Sequence, residues 1–280
     1  MSTLLEPFRS EFFVPGMEIA ALSGALCGLL GVYVVLRGMS YIGHGLSHAI
    51  FGGAAAAYVI DVNFYAGAGL WGFVSALMVN RVARRRSIGA DAAIGVITTA
   101  SFAFGVLLLS RYRSFTRDFD AALFGQILGV TTQDVLVVLG VTVLASAFVF
   151  FFYRPLLFTT FDPEVAVASG VNTGRIDAAF SFVLAAAIVA TMNVLGVTLV
   201  AAALVIPAVV ARMLTNSFNR MLWYAVTIGA LGGFFGMYIS WFMDVTSGAT
   251  IVLTETALFV VAYVVSGVRG RARALPVDVG

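Results

Sequence analysis

Two histidines spaced four residues apart offer the clearest metal-binding chemistry in this sequence. His44 and His48 are the chain's two histidines and lie within the apolar stretch MSYIGHGLSHAIFGGAAAAYVI. Side chains four residues apart share one face of a helix, with their bases roughly 5–6 Å apart, so both imidazoles can hold one divalent ion. Imidazole suits a borderline-soft cation such as Zn²⁺, whereas Mn²⁺ favours additional carboxylate or water oxygens. The spacing therefore predicts a metal contact, with a role as hydrogen-bonded packing residues as the alternative.

Two imidazoles alone leave the coordination of such an ion incomplete. A two-fold homodimer with this helix on its axis would bring four imidazoles together. A third candidate is Glu255, which lies in the apolar segment IVLTETALFVV, where an unpaired ionised carboxylate is costly. Glu255 is therefore expected to be protonated, paired with another group, or facing a pathway. A catalytic zinc motif of the HExxH type is excluded, because Gly45 follows His44.

The segments that must position these residues are dominated by apolar side chains. Of the 280 residues, 61% are apolar and 11% are charged, and the mean hydropathy of +1.01 indicates that lipid is the main solvent. Apolar runs of about 20 residues recur along the chain, which is the length that a helix needs to cross about 30 Å of hydrocarbon. We therefore expect an all-α, polytopic transmembrane helical bundle of eight to nine spans. The candidate spans are 17–36, 41–60, 63–80, 91–110, 133–153, 176–194, 196–213, 221–243 and 248–267.

A single transmembrane domain is expected at 17–268, between an N-terminal tail at 1–16 and a C-terminal tail at 269–280. The arginines orient it, because the cytoplasmic connections of membrane proteins carry an excess of basic residues. Alternate connections place twelve arginines on one side of the membrane and four on the other. This asymmetry predicts a cytoplasmic C-terminus and, for nine spans, an external N-terminus. The twelve are Arg37, Arg81, Arg84, Arg85, Arg86, Arg154, Arg175, Arg212, Arg220, Arg269, Arg271 and Arg273, and the four are Arg9, Arg111, Arg113 and Arg117.

A short segment between two spans is expected to form a docking helix at the cytoplasmic surface. The connection 161–178 begins with FDPEVAVASG. Its acidic Asp162 and Glu164, beside Pro163, favour a helix N-terminus, and Gly170 favours the end of that helix. A short, mildly apolar helix at this surface is more than a linker needs. Docking to a partner protein explains it, and an ordinary interfacial helix is the alternative.

Several classes of function are excluded by residues that the sequence lacks. The chain contains no lysine, and therefore no GxxxxGK[ST] phosphate-binding loop, and it has neither a GxSxG nor a CxxC motif. Its arginines are dispersed between the spans rather than gathered into one basic stripe, which argues against a nucleic-acid partner. We therefore expect that the chain is not an enzyme and that any ATP is hydrolysed by another polypeptide.

Two glycine pairs at four-residue spacing indicate where helices pack closely. Gly24 and Gly28 lie in the first candidate span, and Gly232 and Gly236 lie in the eighth. Because glycine has no Cβ, this spacing lets two helix backbones approach each other in lipid. We expect both pairs at helix–helix contacts.

A series of apolar motifs runs through nearly the whole chain in a specific order. They are MSYIGHGLSHA (39–49), DAAIGVITTASFAFGVLLLS (91–110), LFGQILGV (123–130), FDPEVAVASG (161–170) and NVLGVTLVAAALVIPAVVARML (193–214). Each motif is weak alone, but together and in this order they resemble the permease subunits of bacterial ABC transporters for zinc and manganese. The resemblance implies a multi-pass permease subunit of an ATP-driven metal importer in the bacterial plasma membrane.

The same resemblance implies a set of partners. In the lipid bilayer, two copies of the chain would form a homodimeric channel that binds two cytoplasmic ABC ATPase subunits. An extracytoplasmic metal-binding protein would supply the ion. No permanently bound cofactor is expected, because Zn²⁺ or Mn²⁺ is the transported substrate.

The resemblance also assigns roles to individual residues. His48 matches the family histidine, and His44 occupies the position where family members usually have aspartate. Imidazole in place of a hard oxygen ligand would tilt the preference from Mn²⁺ towards Zn²⁺, with selection by the metal-binding capture protein as the alternative. Glu255 would restore a carboxylate if the fold brings it near. The expected ATPase-docking residues are Asp162, Glu164, Val165, Ala168 and Gly170.

Two other transport mechanisms are alternatives to the importer of a bare metal ion. In a proton-coupled secondary metal carrier, His44, His48 and Glu255 would form a proton relay. An ABC importer subunit for a metal chelate would need a wider and more aromatic cavity than a bare ion does. The resemblance favours the importer of a bare metal ion.

Overall fold

The architecture consists of α-helices, and the computed structural model describes residues 6–10, 13–83, 90–112, 125 and 130–273. Within these residues it contains eleven α-helices, a short 3₁₀ helix at Pro7–Arg9 and no β-strand. The expected all-α fold is therefore confirmed. The helices are α1 (Phe13–Leu36), α2 (Ser40–Val59), α3 (Phe64–Ala83), α4 (Ala90–Tyr112), α5 (Thr132–Phe151), α6 (Tyr153–Phe161), α7 (Pro163–Ala168), α8 (Thr173–Leu195), α9 (Val200–Leu214), α10 (Phe218–Met243) and α11 (Ser247–Arg273). The arginine cluster at 84–86, most of the LFGQILGV motif and the outermost residues of both expected tails lie outside the described residues.

Nine of the described helices lie at the positions of the nine candidate spans, and α6 and α7 form the connection between the fifth and the sixth. Among the described residues, six helices are long and apolar enough to cross a membrane: α1, α5, α8, α10, Ile94–Tyr112 of α4 and Ser247–Ser266 of α11. The helices at Phe64–Val79 and Val200–Leu214 are apolar but shorter. The described part of the chain therefore supports a polytopic bundle with six spans, and a total of eight to nine stays a prediction.

Contacts between helix ends show which ends of the helices lie together. Arg37, directly after α1, pairs with Asp177 near the start of α8 at an N–O distance of 3.0 Å. At the other end of α1, the Phe13 ring packs against Trp241 in the last turn of α10, with ring centroids 5.3 Å apart. We call the end that includes Arg37 the arginine-rich end, and the positive-inside rule predicts that it faces the cytoplasm. Its described arginines include Arg37, Arg81, Arg154, Arg175, Arg212 and Arg220.

Helix α1 packs against α10 through glycines that bring the two backbones together. A Cβ atom built on Gly24 would lie 2.0 Å from the carbonyl oxygen of Gly229. A Cβ atom on Gly28 would lie 2.2 Å from the carbonyl oxygen of Ala225. Both distances are far shorter than van der Waals contact, so a side chain at either position would force the helices apart. The prediction for the first glycine pair is confirmed.

The second glycine pair packs α10 against α11. A Cβ atom on Gly232 would lie 2.6 Å from Cγ of Glu255, and one on Gly236 would lie 2.4 Å from Cα of Ile251. The second pair therefore also lies at a helix–helix contact, and α10 is held between α1 and α11.

Replacing Gly28 with alanine is expected to destabilise the bundle, because the new methyl group would overlap the Ala225 carbonyl oxygen. Overpacking of this kind costs about 1–3 kcal/mol. The measurement is temperature-dependent aggregation of the purified protein in detergent, with Gly140→Ala in α5 as the matched control, since a Cβ atom at Gly140 has no neighbour within 4 Å. Equal thermal stability of the two variants would contradict the close approach of α1 and α10.

Candidate metal site

The histidine pair opens to the surface from a helix that is otherwise packed inside the protein. From Ile42 to Val59, His44 is the one exposed side chain of α2, and His48, one turn further on, is half-buried. Gly45 explains how the helix can pack so closely here, because a Cβ atom at this position would lie 2.4 Å from Cγ2 of Ile94 in α4. The site therefore lies at the protein surface, on a helix whose other side chains are tightly packed.

The two imidazoles are arranged so that both can bind one ion. The Nε2 atoms of His44 and His48 lie 3.2 Å apart, and the two rings are nearly perpendicular, at 88°. An ion about 2.1 Å from each nitrogen would have an N–metal–N angle of about 100°, between the tetrahedral and octahedral values. The expected four-residue geometry is present. Without an ion, the same distance suits a hydrogen bond between the rings.

The surroundings of His48 fix its ring but leave one nitrogen without a partner. The ring packs against Phe102 of α4, with centroids 4.9 Å apart and an interplanar angle of 73°. Its Nδ1 atom is buried and has no hydrogen-bond partner among the described residues. Buried polar atoms are normally paired, and exceptions often mark functional groups. His48 is therefore a stronger candidate for a functional role than a satisfied packing residue would be.

The histidine pair lies closer to the arginine-rich end of the bundle than to the opposite end. Helix α2 starts at Ser40, directly after the Arg37 region. At a rise of 1.5 Å per residue, His44 and His48 lie about 6 and 12 Å along the helix from that start. An ion that enters from the opposite end must therefore pass most of the bundle before it reaches them.

Glu255 lies in a different part of the molecule. Its side chain is 0% exposed on α11, packs against Gly232, and has no described hydrogen-bond partner for either carboxyl oxygen. Among the described residues, no three histidine, cysteine, aspartate or glutamate side chains form a group that could hold a metal ion. Glu255 therefore does not complete the histidine pair within one chain, and its role as a ligand stays a prediction.

The short helix expected between Asp162 and Gly170 is present as α7. The Asp162 carboxylate accepts hydrogen bonds from the backbone N–H groups of Glu164, at 3.1 Å, and Val165, at 3.0 Å. At the other end, Gly170 adopts a left-handed conformation with φ of +80°, as is common just after a helix. The helix exposes apolar side chains, since Val165 is 46% and Val167 is 62% exposed. This is a surface suited to a partner, and the docking role itself stays a prediction.

A polar network at the end opposite the arginine-rich end was not anticipated from the sequence. The Tyr65 hydroxyl donates to Asp134 at 2.5 Å and accepts a hydrogen bond from the Asn193 side-chain amide. Asp134 also forms a reciprocal capping box with Thr131 at the start of α5. The TTQD pattern at 131–134 is a signal for that cap. No local pattern indicates that α3, α5 and α8 meet through these side chains.

A cavity of about 910 Å³ lies near the arginine-rich end but away from the histidines. It lies between α1, α5, α6 and α10. Its lining is largely apolar and aromatic, and includes Leu29, Phe150, Trp223 and the arginine Arg154. None of the candidate metal ligands contributes to it, so the cavity is separate from the site.

The comparison with protein families identifies the class of the chain. A model of the ABC 3 transport family matches residues 9–266, which span the long helices described above except for the last residues of α11. This chain is a member of the ABC 3 transport family. The expected resemblance is confirmed.

Individual relatives of this ABC 3 chain carry names of metal transporters. "Manganese transport system membrane protein MntC" of Halalkalibacterium halodurans is 37% identical over 93% of this chain and 89% of its own length. "Chelated iron transport system membrane protein YfeC" of Yersinia pestis is 33% identical over 94% of this chain and 89% of its own length. The solved structure "PsaBC from Streptococcus pneumoniae in complex with Fab" matches with a TM-score of 0.85 and 28% identity, covering 94% of this chain and 95% of that one.

Family membership determines the general role of this ABC 3 protein. It is a membrane permease subunit of an ABC transporter in the bacterial cell membrane, and it is not an enzyme, because ATP hydrolysis belongs to a separate chain. The family thus favours ATP-driven transport over the proton-coupled carrier.

Replacing Tyr65 with phenylalanine is expected to lower the stability of the protein. The variant would leave Asp134 and Asn193 without their shared hydroxyl partner, at a cost of about 1–3 kcal/mol. Thermal unfolding in detergent measures the change, with Tyr263→Phe as the control, since Tyr263 is 65% exposed on α11. If both variants unfold at the wild-type temperature, the network is not a stabilising contact.

Proposed function

We propose that this permease forms the path of an ATP-driven importer for a divalent transition metal ion, either Mn²⁺ or Zn²⁺, and that His44 and His48 contact the ion. The observation that carries the proposal is the 3.2 Å distance between the two Nε2 atoms, which suits two ligands of one ion. The names of its relatives favour manganese, whereas two imidazoles suit zinc at least as well.

The small number of ligands fits transport better than storage. A path must bind its ion strongly enough to accept it and weakly enough to release it. With two imidazoles from one chain, the remaining positions are left to water or to a second copy. Such a site exchanges its ion more readily than a closed site with four protein ligands, as found in structural zinc centres.

A homodimer is part of the proposal. His44 is exposed on the surface of a single chain, so an apposed second copy could add its own pair of imidazoles. A two-fold axis beside α2 would give an ion path lined from both sides.

A metal chelate is the weaker candidate substrate. One relative is named a chelated iron transport protein, and the cavity of about 910 Å³ has the size for a small organic ligand. However, none of the histidine or acidic candidates lines that cavity. The free ion therefore fits the arrangement of ligands better.

Two partners complete the proposed importer. A cytoplasmic ATPase subunit would bind α7 and its flanks, the expected docking residues Asp162, Glu164, Val165, Ala168 and Gly170. All five are exposed. An extracytoplasmic metal-binding protein would deliver the ion to the opposite end of the bundle.

Alanine at His44 or His48 is expected to reduce metal uptake by at least about tenfold, because each variant removes one of two ligands. Metal-starved cells that express the permease with its native partners would receive a short pulse of Mn²⁺ and Zn²⁺, and elemental analysis would count both ions. Thr227→Ala is the control, since this exposed hydroxyl bonds to the Trp223 carbonyl of its own helix. Wild-type uptake by well-inserted histidine variants would contradict the site.

The variant His44→Asp tests the choice of metal. Aspartate replaces an imidazole with the hard oxygen ligand that Mn²⁺ prefers. We expect the ratio of imported manganese to imported zinc to rise in the same uptake measurement. An unchanged ratio would mean that His44 does not determine the selectivity.

Changing Val167 to aspartate is expected to weaken binding of the ATPase without affecting folding, since the side chain is 62% exposed in α7. The amount of ATPase that copurifies should fall about tenfold, which corresponds to 1.4 kcal/mol. Val245→Asp is the matched control, because Val245 is 48% exposed in the turn between α10 and α11 at the opposite end. Equal copurification with both variants would argue against docking at α7.

A further inference from the structure

A buried arginine joins three helices at the arginine-rich end. The Arg37 side chain is 7% exposed and donates hydrogen bonds from Nε to Thr160 Oγ1 at 3.1 Å, from Nη2 to Thr159 Oγ1 at 3.0 Å, and from Nη1 to Asp177 Oδ1 at 3.0 Å. Its Cζ atom lies 4.7 Å from the centroid of the Phe180 ring, within the range of a cation–π contact. We call Arg37 and these four partners the Arg37 clasp.

The partners of Arg37 lie on both sides of α7. Thr159 and Thr160 belong to the last turn of α6, which ends directly before α7, and Asp177 and Phe180 belong to the first turns of α8, which follows α7. The threonine hydroxyls donate back to backbone carbonyls of α6, including that of Leu156 at 3.1 and 2.6 Å. The lone pairs of the two threonine oxygens therefore face the Arg37 guanidinium. The clasp thus holds both ends of the segment that carries α7.

On its other side, Arg37 is joined to α2 through a tight turn. The N–H of Gly38 bonds to the Val35 carbonyl at 3.1 Å, and the N–H of Met39 bonds to the Val34 carbonyl at 2.9 Å. With φ of +65° at Gly38, this is the Schellman arrangement that ends a helix. Helix α2 begins at the next residue, Ser40. A displacement of the Arg37 backbone must therefore displace the start of α2.

The histidine pair is within reach of such a displacement. His44 lies seven residues after Arg37, and about 6 Å along α2 from its start. Between the Arg37 clasp and His44 there is one fixed turn and one turn of helix. This is a short mechanical path between α7 and the proposed metal ligands.

We propose that Arg37 is a positioning residue through which movement of α7 is passed to the histidine pair. The inference rests on the proposed function, in which α7 binds the ATPase. When the ATPase shifts α6, α7 and α8 together, Arg37 moves with them, because a buried guanidinium that loses Asp177 would be left without its counter-charge. The planar guanidinium is needed, since it can hold Thr159, Thr160 and Asp177 in one plane, whereas a lysine ammonium is a point donor.

The inference predicts a loss of coupling rather than a loss of ATP hydrolysis. The permease would be purified with its ATPase, reconstituted in proteoliposomes and supplied with its extracytoplasmic metal-binding protein. Uptake of Mn²⁺ and Zn²⁺ and ATP hydrolysis would be measured in the same sample. For Arg37→Gln we expect ATP hydrolysis close to that of the wild type and a rise of about tenfold in ATP consumed per ion imported. A purely structural role would instead lower both rates together, in proportion to the amount of folded complex.

Further variants test the two halves of the clasp separately. Asp177→Asn removes the counter-charge on α8, and the double variant Thr159→Val with Thr160→Val removes the hydrogen bonds to α6 while the ion pair remains. Both are expected to raise the ATP consumed per ion, and Arg37→Lys is expected to give an intermediate value. Arg212→Gln is the control, because Arg212 is an exposed arginine in the last turn of α9 at the same end of the bundle.

The outcomes separate this inference from the proposed function. If the wild-type complex imports neither Mn²⁺ nor Zn²⁺, the proposed function fails. If the wild type imports the ion and both Arg37→Gln and the double threonine variant keep its ratio of ATP to ion, the inference alone is overturned. If Arg37→Gln does not assemble, the double threonine variant decides: a raised ratio supports the inference, and the wild-type ratio overturns it.

Discussion

Close contact between helix backbones is the constraint on which the rest of this structure depends. Lipid chains solvate an apolar side chain as well as another helix does, so helices in a membrane associate through tight packing and hydrogen bonds. Here the packing is made by glycines. A Cβ atom on Gly31 would lie 1.8 Å from the Leu204 carbonyl oxygen, and one on Gly52 would lie 2.3 Å from that of Ser101. The Gly52 contact holds α2 against α4, and the histidine pair is placed by that packing.

Polar side chains in this bundle include some that bond within one helix and others that join helices. Within the helices, threonine hydroxyls bond to their own backbone, as Thr142 does to Val138 and Thr254 to Thr250, and these side chains carry no link between helices. At the two ends, Arg37 and Tyr65 each join three helices through side-chain hydrogen bonds. A third such junction lies in the middle of the bundle, where Ser101 of α4 accepts a hydrogen bond from Trp71 of α3 and donates one to the Ala49 carbonyl of α2.

The sequence predicted the structural features that depend on the spacing of residues close together in the chain. Helix positions follow from apolar runs of about 20 residues. Helix α1 begins at Phe13 rather than at the expected residue 17, because the apolar residues before residue 17 belong to the helix. The caps of α7 and the four-residue geometry of the histidines are likewise local. Which helices lie next to each other does not follow from local sequence, since Arg37 contacts partners 122 to 140 residues away. For Glu255, the sequence indicated a costly environment but could not indicate that Gly232 is the residue against which it packs.

The depth of the histidine pair has an electrical consequence. A bacterial membrane is negative inside, and an ion of charge +2 that moves inward through the whole field gains about 4.6 kcal/mol per 100 mV. The pair lies about 6 to 12 Å along α2 from the start of that helix at the arginine-rich end. With the start of α2 at the edge of a hydrocarbon layer about 30 Å thick, an ion that reaches the pair from outside would have crossed well over half of that field. In the proposed importer, the membrane potential would therefore favour loading of the histidines from outside and oppose return of the ion. Release from this proposed site into the cytoplasm would need only the short remaining step, in the direction that the field also favours.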